Sequence, residues 1–226
     1  MQISRNFLSG VLASAVVLGL SSASKAQVPF PTFNTTGALA GNQDFNGSLG
    51  TFFSITGPAG LTLRDIGVFD SGANGFQSGT TLQVAIFTQA GVQVTDTLQT
   101  FTQGSPGTLD AGSYRFKALP NGDVHLPSGS YAVVAQGFNT NDMNYNSGGF
   151  PSSINVGEFA FLGNNIVWES SYYENGPLQL PTINSGGGAD RFGAGVFTVM
   201  IPEPGTFALL GLGLAPIALA IRRRRK

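Results

Sequence analysis

Cysteine is absent from all 226 residues, and histidine and tryptophan occur once each. Without thiols there is no disulfide framework, no thiolate nucleophile and no cysteine metal site, so a folded region must rest on a packed core. The single histidine, His125, lies between Val124 and Leu126 on an expected short strand. It has no Gly-x-Ser-x-Gly turn to serve and no second imidazole with which to share a metal, which argues against a triad hydrolase and a histidine metal centre. Charge is equally scarce: Asp, Glu, Lys and Arg make up 10% of the chain. Lys and Glu, the usual surface of helices, are nearly missing, and no window keeps a sustained helical period. Phosphate loops and dinucleotide fingerprints are missing too, since Gly186-Gly187-Gly188 lacks the following helix that an anion site needs.

What is present is organised from the two ends. Residues 1–26 hold one early cation, Arg5, an apolar stretch over 7–20, and small side chains at Ser24 and Ala26. That is the pattern of a secretory signal peptide, with signal peptidase expected to cut between Ala26 and Gln27. At the other end Pro202, Glu203 and Pro204 precede a charge-free run, 205–221, and then Arg222, Arg223, Arg224, Arg225 and Lys226. As a single helix this run would span roughly 25 Å against about 30 Å of hydrocarbon. Gly211, Gly213 and Pro216 weaken it further, which suits a segment that is processed or held briefly better than a permanent anchor. The five cations resist translocation and act as a stop-transfer cluster, so the rest of the chain is expected outside the cytoplasm. An unprocessed tail anchor is the plainer alternative.

Setting both ends aside changes the charge balance. Of eleven basic residues, two fall in the leader and five in the tail, which leaves Arg64, Arg115, Lys117 and Arg191 against eleven acids, a balance near −7. Four scattered cations cannot build a phosphate-neutralising face, so no nucleic-acid partner is expected.

The ordered elements of the C-terminus, Pro202-Glu203-Pro204, then Gly205-Thr206-Phe207-Ala208-Leu209-Leu210-Gly211-Leu212-Gly213-Leu214 and the arginine cluster, resemble the PEP-CTERM sorting domain of Gram-negative bacteria. The resemblance covers about a tenth of the chain. It implies an exported protein, held transiently in the inner membrane and handled by an exosortase near Pro202, Glu203 and Pro204. It also implies a destination at the cell surface or in the extracellular matrix, in bacteria that make exopolysaccharide and biofilm.

Between the ends, residues 27–201 have the length of one domain. Short apolar alternations broken by turn residues predict ten strands, over 49–55, 61–69, 80–87, 92–99, 114–118, 124–126, 130–138, 157–162, 166–168 and 193–200. Asn74-Gly75, Asn121-Gly122 and Asn175-Gly176 tolerate the positive φ of tight turns. The expected fold is therefore all-β, a β-sandwich of jelly-roll type, with an extended lead-in over 27–41. Two stretches rich in Asn, Gly and Ser, 139–151 and 180–191, read as long loops, where binding usually sits on a rigid scaffold.

Candidate sites are few. Asp70 and Asn74 outline an oxygen-ligand loop for calcium, but Gly72 and Thr81 stand where an EF-hand places further ligands, so a self-capped turn is the plainer reading. Trp168, Glu169, Tyr172 and Tyr173 set aromatic platforms beside a carboxylate, as carbohydrate binding requires. Neighbours on a strand point to opposite faces, however, so Trp168 and Glu169 cannot both line one patch unless the strand ends there. A hydrolase would need two carboxyls across a cleft, and a sequence cannot pair Glu158, Glu169, Glu174 or Asp190. The expectation is an exported protein with no catalytic residues and no cofactor, structural or adhesive in an exopolysaccharide or biofilm context. The alternatives are a carbohydrate-binding module or carbohydrate-active hydrolase, and a calcium-dependent binding module.

Overall fold

The computed structural model describes residues 27–35, 37–110, 112–146, 152–154, 166–189 and 191–202. The signal peptide expected over 1–26, the apolar run over 205–221 and the strand expected over 157–162 lie outside these residues. The compact unit that carries the sheets runs from Pro29 to Ile201, while a second unit, Met1–Val28 with Pro202–Lys226, is mostly outside the described residues. Among the described residues fourteen strands follow in chain order: β1 (Gln27–Pro31), β2 (Phe33–Thr35), β3 (Ser48–Ile55), β4 (Leu61–Phe69), β5 (Thr81–Thr88), β6 (Gln99–Thr102), β7 (Thr108–Asp110), β8 (Tyr114–Ala118), β9 (Val124–Leu126), β10 (Gly129–Gln136), β11 (Ser152–Ile154), β12 (Ile166–Glu174), β13 (Ile183–Asn184) and β14 (Gly195–Pro202). Among the described residues the only helical element is a 3-10 turn, Ser71–Ala73.

The strands form two antiparallel sheets and a small ribbon. The first sheet has the order β1-β14-β4-β8-β7, with β9 also on β4, and the second β13-β12-β3-β10-β5-β6. β2 and β11 make the ribbon. Alternation explains the first half of β4, where Leu61 and Leu63 are buried while Thr62 and Arg64 face outward. The sheets pack face to face through rings: Phe53 on β3 meets Phe197 on β14 at 5.0 Å between centroids. Close approach requires Gly195, because a Cβ there would come within 2.9 Å of Val133 and 3.1 Å of Val84 on the opposite sheet. At one margin Lys117 of β8 donates to the Thr100 carbonyl of β6, and Gln99 of β6 donates to the Ala118 carbonyl of β8, which ties the two sheets together.

β10 breaks the alternation, since Tyr131 through Ala135 are all buried. Its outward residues Ala132 and Val134 join Ala85 and Phe87 in a second apolar cluster, roofed by Leu178 and Leu180 from the segment after β12. A strand covered on both faces reads as a continuous apolar run.

Several expectations need correction. Of the strand expected over 92–99, residues 92–98 are a loop that bridges β5 only at Gln93. Asp96 takes a positive φ of 63° and turns the chain, and the Thr97 hydroxyl accepts the Ile86 N–H in place of a ladder partner. Pairing resumes at β6. The lead-in over 27–41 contains two strands, β1 and β2, and between them the Thr32 hydroxyl and N–H both donate to the Phe197 carbonyl. The strand expected to stop at 168 continues to Glu174.

Tyr114 is fully buried, donates its O–H to the Gly193 carbonyl at 2.7 Å, and has its phenol pKa pushed well up by burial. Tyr114→Phe should lower stability by about 1–2 kcal/mol at neutral pH, because it strands that carbonyl. The sign of the pH dependence follows from the raised folded pKa. Unfolded tyrosine loses its proton near pH ~10 while the folded one keeps it, so stability falls as pH rises above that value, by up to about 1.4 kcal/mol per pH unit. Urea melts across alkaline pH should show the wild-type advantage over Tyr114→Phe shrinking and then reversing; a constant difference would contradict the burial argument.

Candidate functional site

The four residues of the expected sugar platform lie on one strand but not on one surface. β12 pairs with β3 as Trp168 opposite Phe53 and Ser171 opposite Thr51, with a bulge between. Glu169 and Ser170 together oppose the single residue Phe52, and this extra residue resets the period of two. Trp168 and Tyr173 thereby face the inter-sheet core, where Trp168 lies 5.3 Å from Phe53 and 6.0 Å from Phe197 between ring centroids. Glu169 and Tyr172 face the other way: the Ser54 hydroxyl donates to Glu169 Oε1 at 2.5 Å, and Tyr172 packs on Phe52 at 4.4 Å.

Asp70 is fully buried, and its Oδ2 accepts from Arg115 Nε at 2.5 Å and from the Gly75 N–H at 3.0 Å. A guanidinium thus already sits against the carboxylate that would lead a calcium loop, and Asn74 is exposed. Asp142, also buried, accepts the Gln77 N–H through Oδ2, so the two carboxylates hold the second half of the loop 71–77 through Gly75 and Gln77. The asparagines after β10 are spent locally: Asn139 accepts the N–H groups of Asn141 and Asp142, and Asn144 accepts from Phe45 and donates to Gln43. Among the described residues no three His, Asp or Glu side chains converge on a metal position. His125 is exposed on β9 opposite Thr62.

A different constellation does converge. A recess of about 360 Å³ is walled by Phe45, Leu49, Tyr173 and Phe192, and rimmed by Gln43, Asn146, Asn184, Ser185 and Arg191. Its size lies at the lower end of small-molecule sites. The bulge in β12 supplies one wall by turning Tyr173 inward, where its ring meets Phe45 edge-on at 5.9 Å. The loop after β13 supplies the rim and is pinned beneath: Ser171 Oγ donates to the carbonyls of Gly188 and Ala189, and Thr51 Oγ1 donates to Ala189. Gly187 leaves room for the stem of Arg191, since a Cβ there would stand 2.5 Å from Arg191 Cδ. Arg191 donates from Nε to Asn146 Oδ1 at 3.1 Å and from Nη1 to the Ser185 carbonyl. Among the described residues the single ion pair is Arg115 with Asp70, and the partners of Arg191 are two neutral acceptors and the Phe192 ring, 5.8 Å from its guanidinium carbon.

Both expected long loops therefore reach one place, Asn146 from the first and Ser185 and Arg191 from the second. Their partners Gln43, Phe45 and Phe192 carried no motif by which the sequence could announce them.

Comparison with known proteins locates one further feature. Residues 201–226 match the family model described as the PEP-CTERM protein-sorting motif. The motif marks an exported protein sorted through the cell envelope, with an exosortase as its processing partner. No curated protein and no solved structure matches the chain.

Proposed function

We propose that this chain is an exported, non-catalytic β-sheet protein of a Gram-negative cell surface or extracellular matrix, structural or adhesive in a polysaccharide-rich setting. The observation that carries the reading is the sorting motif, whose match begins at Ile201, where the compact unit ends. Signal peptidase would free Gln27 at the start of β1. The run over 205–221 would hold the chain in the inner membrane, with Arg222 to Lys226 on the cytoplasmic side, until an exosortase acts near Pro202, Glu203 and Pro204. A non-catalytic task is supported by the placement of the acids: Asp70 and Asp142 brace a loop, and Glu169 and Glu174 accept from Ser54 and Thr182. Adhesion is supported by the aromatic and amide lining of the recess.

Intact mass and fractionation of the protein from its own host test the sorting step. Wild type should lose both ends and leave the inner membrane, whereas a Pro202→Ala, Glu203→Ala, Pro204→Ala variant should keep Arg222 to Lys226 and stay membrane-bound. Retention of the tail in both proteins would make the segment a plain anchor and remove the main support for a matrix role.

A further inference from the structure

We infer that the recess around Arg191 binds a carboxylate-bearing sugar unit, a hexuronate of an acidic polysaccharide. The inference rests on the polysaccharide reading above and narrows it to a charged class of ligand. Internal hydrogen bonds engage every side-chain amide and serine oxygen of the rim once and leave most of its donors. Asn146 Oδ1 accepts from Arg191 Nε, Asn184 Oδ1 accepts the Gly186 N–H, and Ser185 Oγ accepts the Gly187 N–H. Gln43 Oε1 accepts from Asn144 Nδ2 at 3.0 Å. Each amide is oriented by its donor: a backbone N–H at Asn184, a guanidinium at Asn146, and at Gln43 an Asn144 amide whose own oxygen already accepts the Phe45 N–H. Among the described residues this leaves the amide N–H groups of Gln43, Asn146 and Asn184, the Tyr173 O–H and Arg191 Nη2 without partners.

A recess that offers donors and a cation with no carboxylate partner among the described residues suits a ligand rich in acceptors and carrying an anion. Its walls set a second condition, because the edge-on pair Phe45 and Tyr173 and the ring of Phe192 favour a ligand with an apolar face. A pyranose carboxylate meets both conditions, with its ring C–H groups against the aromatic wall and its carboxylate on the planar guanidinium. An acidic peptide fits worse, since its backbone N–H groups would compete for rim oxygens that each already hold one donor, while a sugar's oxygens meet the free N–H groups.

Calorimetric titration of the processed protein recovered from its host, with tetragalacturonate, a neutral galactose tetrasaccharide and sodium sulfate as probes, tests this. Tetragalacturonate should bind saturably and at least about tenfold more tightly than either other probe, the scale of one charge-assisted hydrogen bond. Arg191→Gln should weaken that binding by about tenfold or more. Tyr173→Phe, which leaves the pinned loop intact, should weaken it several-fold at an unchanged melting temperature, and it decides the matter if Arg191→Gln fails to fold. Equal binding of the neutral tetrasaccharide, indifferent to Arg191→Gln, would overturn the acidic site while leaving polysaccharide adhesion in place. Equal binding of sulfate would overturn the saccharide assignment, and no binding of any probe would overturn the recess as a site. Failure of the sorting reading registers separately, in the fractionation of the triple-Ala variant.

Discussion

Arg115→Met should remove about 3–5 kcal/mol from the unfolding free energy, the usual cost of leaving one member of a buried ion pair behind. Asp70 is 0% exposed and its partner only 15%, so the carboxylate that remains has no water to turn to. The damage should spread along the chain, because Asp70 also accepts the Gly75 N–H and so fixes the loop that delivers Phe76 against Phe101. Adding Asp70→Leu to the Arg115→Met protein should return part of the loss, since two apolar side chains strand no charge. The coupling in this double-mutant cycle should exceed about 1 kcal/mol. Additive losses in urea melts would mean that the pair contributes nothing beyond its two members.

Phe53→Ala should cost a similar amount, about 3–5 kcal/mol, through a different mechanism. Its ring touches Tyr131 at 5.8 Å, Trp168 at 5.3 Å and Phe197 at 5.0 Å, so it joins three strands across both sheets. Truncation removes apolar area and opens a void that rings on rigid strands cannot fill. At roughly 2–4 °C per kcal/mol for a domain of this size, the melting temperature should fall by about 10 °C. Ile183→Ala, at a position 40% exposed, is the control and should stay within about 0.5 kcal/mol. A loss at Phe53 as small as the control's would contradict the packing between the sheets.

The parts of this fold legible in the sequence are those governed by local alternation. β4, β8 and β9 begin and end at the expected residues because apolar positions, spaced by two, stop at turn residues on either side. β12 was legible only to Trp168, since the bulge that follows depends on pairing with β3, a partner that local periodicity does not record. The same limit hid β1 and β2, whose short segments become strands because the first sheet and the ribbon offer edges for them. The recess is less legible still. Gln43, Asn146, Tyr173 and Arg191 come from four separate stretches, and the rule that long loops carry binding indicated two of these stretches without indicating that they meet. The inward turn of Tyr173 follows from a one-residue irregularity, so no count of aromatics and acids along β12 could have assigned it to that wall.

β14 lies between β1 and β4 and runs into the sorting motif without an intervening linker. A pull on the chain beyond Ile201 would be transmitted along the axis of a strand bonded on both sides. Loading in that direction is shear: the hydrogen bonds to β1 and β4 resist together, where a strand peeled from an edge would give way one bond at a time. A protein tethered by this end and gripped at its other surfaces would bear tension as a bolt does, through the strand at the sheet's interior, and would hold until its ladders failed as a group.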